Sequence, residues 1–96
     1  MEYYPITVAE TLTFQRKAAR LLSEFERSEL IAYLSVQPTA GLLIKGTGGI
    51  RKLRWARGGR GKSGGVRVVY YFHSNEMPLY LLSLFGKNEK ANLSME

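Results

Sequence analysis

Cysteine is absent from these 96 residues, which excludes disulfides and thiolate metal sites and fits a reducing compartment. A single histidine, His73, excludes a metal centre built from several imidazoles. No apolar run approaches the ~20 residues that a membrane span needs, so no membrane partner is expected. The opening, MEYYPITVAET, lacks a basic stretch followed by an apolar one and does not read as a secretory leader. A cytoplasmic location is the expectation. Negative charge is missing where it would be most useful. From Arg51 to Arg67 there is no acid, only seven cations: Arg51, Lys52, Arg54, Arg57, Arg60, Lys62 and Arg67.

The length suits one domain, residues 1–96, with a single core and no room for two lobes around a cleft. Its net charge of +6 is unevenly placed. Residues 1–44 carry four basic against five acidic side chains, a balance of −1, whereas residues 45–96 carry ten against three, a balance of +7. With no apolar span to place it at a membrane, so basic a half is expected to face phosphates. A charge run is often just a solvated surface, but a solvated hairpin usually interleaves acids with its bases. This one does not.

YYPITVAET is a short β-rich opening. From Thr11 the period changes, and Leu12, Ala18, Ala19, Leu21, Leu22 and Phe25 are spaced for one apolar helix face. Ser23 with Glu26 three residues on is a capping-box signature, so a second helix starts there. Its apolar face takes Phe25, Leu30, Ile31 and Leu34, with Tyr33 beside them, and VQPTAG ends it. The second half is strand-like. GLLIKGTGGI is a glycine-rich approach, and IRKLRWA alternates, with Leu53 and Trp55 on one side and Lys52 and Arg54 on the other. VRVVYYF puts Arg67, Val69 and Tyr71 on one face, and LYLLSLF, residues 79–85, follows the turn-like HSNEMP. The expected fold is α+β: an N-terminal helical hairpin packed on one face of a small twisted antiparallel sheet.

Two phosphate-loop patterns are decoys. In ARGGRGKS the first glycine of G-x-x-x-x-G-K-S falls on Ala56. GRGKSG, residues 59–64, fits G-x-G-x-x-G, but both motifs need a helix to follow, and a strand follows here. Strand geometry points elsewhere. Lys52 and Arg54 share a face, Arg67 can approach it from the next strand, and residues 57–65 form a long basic loop able to track a nucleic-acid backbone. Arg51, Arg57, Arg60, Lys62 and Tyr71 are the candidate RNA contacts. Crowded cations and desolvation favour a neutral lysine, able to act as a base or acid. Arginines can stabilise the charge of a phosphoryl transition state. Such a site needs no metal or cofactor to cleave RNA, because the 2′-hydroxyl can serve as nucleophile. By themselves the residues indicate an RNA or ribosome binder and leave cleavage open. His73 reads as a surface or cap residue, and Trp55 and most tyrosines as sheet or core residues. Tyr71 is the exception, since alternation sets it on Arg67's face.

GTGGIRKLRWARGGRGKSGGVRVVYYF, followed by LYLLSLFGKNEKANLS, closely resembles the HigB-type branch of the RelE toxin superfamily, and the likeness extends through the helical hairpin. The resemblance implies a toxin of a type II toxin–antitoxin module. Such a toxin enters the ribosomal A site, cuts mRNA without a metal or small-molecule cofactor, and is neutralised by a cognate antitoxin, here expected to be a helix-turn-helix protein. It places the catalytic basic residues at Lys52, Arg54 and Arg67, with Lys87 in the GKN of residues 86–88 as the fourth, because Asn88 stands where RelE has an arginine. The family's C-terminal tyrosine has no counterpart in EKANLSME. Its C-terminal helix would begin near NLS, where this chain stops at Glu96, so the expectation is a toxin with that helix missing. The alternative is a non-catalytic ribosome- or RNA-binding module, or an inactive truncated toxin that only binds an antitoxin.

Overall fold

The structure, a computed structural model, describes residues 5–56 and 65–86. Strand β1, Val8–Glu10, opens it. Thr11 then caps helix α1, Leu12–Leu21: its Oγ1 accepts from the Phe14 amide at 3.2 Å, pairing one of the donors that a first helical turn leaves free. The helix stops at the extended Leu22, whose amide donates back to the Ala18 carbonyl. Ser23 at once caps α2, Glu24–Val36, and the expected capping box is present. Ser23 Oγ accepts from the Glu26 amide at 3.0 Å, and Glu26 Oε1 from the Ser23 amide at 2.8 Å.

The helical hairpin buries Phe14, Ala18 and Leu22 at four-residue spacing, then Leu30 and Leu34, with Ile31 packed beside them. The apolar face expected from Leu12 to Phe25 needs correction. Leu12 is 59% exposed and Phe25 70%, Ala19 is exposed as well, and Phe14 is fully buried in their stead. Helical phase does not carry across the break at Leu22 and Ser23. On α2, Phe25 shares its side with Ser28 and Glu29, three and four residues on, and so points to water.

Four more strands follow: β2, Leu42–Leu43; β3, Ile50–Trp55; β4, Val66–Tyr71; and β5, Leu79–Gly86. They form one five-stranded sheet in the order β1-β5-β4-β3-β2. The sheet is mixed rather than antiparallel throughout, because β1 runs parallel to β5. The helices carry the chain from β1 at one edge to β2 at the other, and the β2–β5 meander returns beside β1. There the Leu79 amide donates to Thr7 O at 2.9 Å, and the Thr11 amide to Leu81 O at 3.1 Å.

Both helices lie on one face. Val66, Val68 and Tyr70 of β4 and Leu79, Leu81 and Leu84 of β5 share a buried cluster with the helical residues. Leu81 and Leu84 are three apart, yet both reach it. A bulge opposite Val69 and Tyr70 skips Leu82 in the register and restores the alternation. Tyr70 ties the α2–β2 connection to this core: its hydroxyl donates to Pro38 O and accepts from the Gly41 amide, each at 2.8 Å. Gly41 has to be glycine for this, since a Cβ would come within 3.0 Å of the Tyr70 ring and 2.8 Å of Lys52 O. Burial pushes the Tyr70 phenol above its usual value, opposed by the Gly41 hydrogen bond.

Candidate nucleic-acid interface

Leu53 and Trp55 of β3 pack against the helix-side cluster, and Trp55 lies 5.3 Å from Tyr33 of α2, ring centre to ring centre. Alternation therefore turns Lys52 and Arg54 away from the helices, and both are exposed. The β3–β4 register sets Lys52 opposite Val69 and Arg54 directly opposite Arg67. These rungs continue on β5 to Ser83 and Phe85, and the next rung is Ile50, Tyr71 and Tyr80. Successive rungs on this face are about 6.7 Å apart along the strands. Val69 is only 1% exposed but stands outside the helix-side cluster, as a residue of the opposite face should.

The Arg54–Arg67 rung is electrostatically unfavourable. Like charges directly opposite each other destabilise a sheet, and arginine cannot relieve the repulsion by losing a proton. Arg67 is half-buried, and its Nη1 is buried with no hydrogen-bond partner among the described residues. A buried donor without an acceptor is also unfavourable. No carboxylate is available on these strands, since the chain holds no acid between Glu29 and Glu76. An oxygen-rich anion bridging the two guanidinium groups would relieve both problems. Lys52, one rung away, is exposed, so the fold itself does not desolvate its ammonium.

Arg51 is not brought into this group. It pairs with Tyr70, so it belongs to the other side of β3. There its Nη1 donates to Gly41 O at 2.8 Å and Thr39 O at 3.3 Å, holding the segment before β2 against the sheet. This placement follows from the same two-residue period that turned Lys52 outward. Arg57, Arg60, Lys62 and Lys87 lie outside the described residues. The edge strand β2 adds Leu42, 81% exposed, opposite Lys52.

Tyr71 is half-buried on the same face as Arg67, two rungs away. Its ring rests against Gly49, where a Cβ would come within 2.8 Å of a ring carbon. Gly49 also has φ 149°, a backbone shape that suits glycine. Two residues after Tyr71, the exposed His73 sets its imidazole nearly parallel to the phenol, 15° apart with ring centres at 6.5 Å. From the sequence His73 reads as a surface or cap residue, with no sign of this pairing. It lies two residues past the end of β4, where strand alternation is no guide, and only the ring geometry brings it to Tyr71.

These elements define a small α+β protein with two helices on one face of a five-stranded mixed sheet and a basic cross-strand rung on the other. No family model matches the chain. Among the described residues, no helix is long and apolar enough to cross a membrane.

Proposed function

We propose that the open face of this sheet binds RNA, and that the protein is a ribosome-dependent endoribonuclease of the RelE/HigB kind, the toxin of a type II toxin–antitoxin pair. One observation carries the reading: Arg54 and Arg67 are directly opposed on a packed sheet, with Lys52 one rung away and no acid on these strands to neutralise them. The motif resemblance, which covers the same strands, supports the sharper activity. In this mechanism the RNA 2′-hydroxyl loses its proton and attacks the adjacent phosphorus. The bond to the 5′-oxygen breaks, leaving a 2′,3′-cyclic phosphate and a 5′-hydroxyl. Arg54 and Arg67 would hold the phosphoryl oxygens as charge builds on them, and Lys52 would assist as base or as a further positive charge. Lys87 and an antitoxin partner belong to this proposal through the resemblance.

Induced expression in bacterial cells tests it, with breaks mapped in translated messages and their ends analysed for cyclic phosphate. Cleavage confined to translated RNA is expected, and intact messages with unimpaired growth would refute the activity. The second reading, a binding module that does not cut, is favoured by the make-up of the rung itself: Arg54 and Arg67 cannot accept a proton, and no carboxylate lies on these strands. Ribosome pelleting distinguishes the two, because co-sedimentation without any cleavage supports binding alone.

A further inference from the structure

We propose that Tyr71 and His73 form a stacking platform for one unpaired nucleobase, belonging to a nucleotide that flanks the phosphate held by Arg54 and Arg67. The proposal rests on the reading of the open face as an RNA surface. Four features of the fold support it. Tyr71 ends β4 on the side that carries Lys52, Arg54 and Arg67, and His73, two residues beyond the strand, sets its ring beside that of Tyr71. Their rings are held parallel to within 15°, at a centroid separation of 6.5 Å. That separation is near the upper end of the ~4.5–7 Å range of aromatic pairs. It is also close to twice the ~3.4 Å rise between stacked nucleotides of one strand. The two rings therefore do not use up each other's faces.

The position of Tyr71 is set in advance. Gly49 leaves the space its ring occupies, and the Phe72 amide bonds to Gly49 O at 3.0 Å, fixing the end of β4 against the turn before β3. A pre-positioned ring loses little freedom when a base lands on it. Spacing completes the case. Arg67 and Tyr71 are four residues apart on β4, about 13 Å along the strand. Lys52 sits on the rung between them, where the linking phosphate would pass. A cationic groove beside aromatic shelves is the arrangement that proteins use for single strands, with cations following the backbone and rings taking bases of any identity.

The test uses the full-length protein and an RNA tetranucleotide carrying 2-aminopurine at each position in turn, at low salt. Anisotropy of an end-labelled copy reports binding, and 2-aminopurine quenching reports stacking. One position should be quenched on binding. His73→Ala should reduce that quenching and weaken binding about tenfold, Tyr71→Ala should abolish it, and Tyr71→Phe should keep it. Lys52→Ala should weaken binding yet leave the quenching of saturated complexes unchanged. His73 is exposed, so its variant tests the platform even if Tyr71→Ala fails to fold. Tight binding with no quenched position, or quenching indifferent to His73→Ala, overturns the platform and leaves the RNA face standing. Absence of any binding at low salt overturns both.

Discussion

Arg54 of β3 and Arg67 of β4 are direct cross-strand partners, and Arg67 Nη1 is buried without an acceptor among the described residues. A fold selected for stability alone would place opposite charges or a β-branched pair on that rung. Arg54→Thr should therefore leave the protein as stable as before, or more stable by about 0.2–1 kcal/mol in urea unfolding. If the proposed cleavage takes place here, the same change should slow single-turnover cutting by ~10²–10³-fold. A clear loss of stability would mean that the rung serves the fold and not a ligand.

Arg51 and Lys52 are neighbours in sequence with separate tasks. Arg51 holds two backbone carbonyls on the helix side, while Lys52 is exposed on the open side. Arg51→Ala should cost about 0.5–1.5 kcal/mol of stability, because the part-buried Gly41 carbonyl and the exposed Thr39 carbonyl lose their donor. It should leave the salt dependence of RNA binding unchanged. Lys52→Ala should do the reverse, with stability within about 0.5 kcal/mol of the parent and a log–log salt slope shallower by about 0.7. Urea midpoints and titrations at several salt concentrations decide the matter. Equal effects from both residues would contradict the assignment of faces.

Much of this was legible in the sequence, and the failures have identifiable causes. Ser23 and Glu26 announced the capping box because capping is local chemistry. Lys52 and Arg54 were placed outward, and Leu53 and Trp55 inward, because a strand repeats every two residues and Trp55 must find cover. Phe25 falls on neither buried face: the break at Leu22 and Ser23 resets helical phase, and on α2 Phe25 stands five residues before Leu30 and so on another side. The parallel β1–β5 pairing was missed because it joins residues about seventy positions apart, and alternation does not reveal strand direction. The opposition of Arg54 to Arg67 depends on the register, which the hairpin sequence leaves undetermined.

Tyr70 should make the fold sensitive to alkali. Its buried phenol donates to Pro38 O and accepts from the Gly41 amide, and burial holds its pKa above the ordinary 10.0. Below that value both folded and unfolded chains keep the proton. As pH rises past about 10 the unfolded chain releases it first, so stability falls until the native phenol ionises too. Tyr70→Phe should be less stable at neutral pH by about 1–3 kcal/mol, through two polar groups left unpaired. The gap between the two proteins should then narrow in alkali. A constant difference across that range in urea unfolding would show that the Tyr70 proton is not linked to folding.

The last prediction concerns how the cations divide their labour. Arg67 stands on a packed central strand whose alternate residues, Val66, Val68 and Tyr70, are fully buried. That packing holds the backbone of Arg67, and the proposed catalysis would tolerate little looseness there. Arg60 and Lys62 fall in a stretch that includes Gly58, Gly59, Gly61, Gly64 and Gly65, which offers few side chains to pack. Their contribution should come through charge. If the protein is the proposed nuclease, Arg67→Ala should lower the cleavage rate of the saturated complex far more than it lowers ribosome affinity. Arg60→Ala combined with Lys62→Ala should weaken binding and flatten its salt dependence, yet leave the rate at saturation nearly intact. Single-turnover cleavage with the protein in excess separates the two, since saturation removes binding from the observed rate. If the double variant is as slow at saturation as Arg67→Ala, the glycine-rich segment belongs to the catalytic site and the division fails.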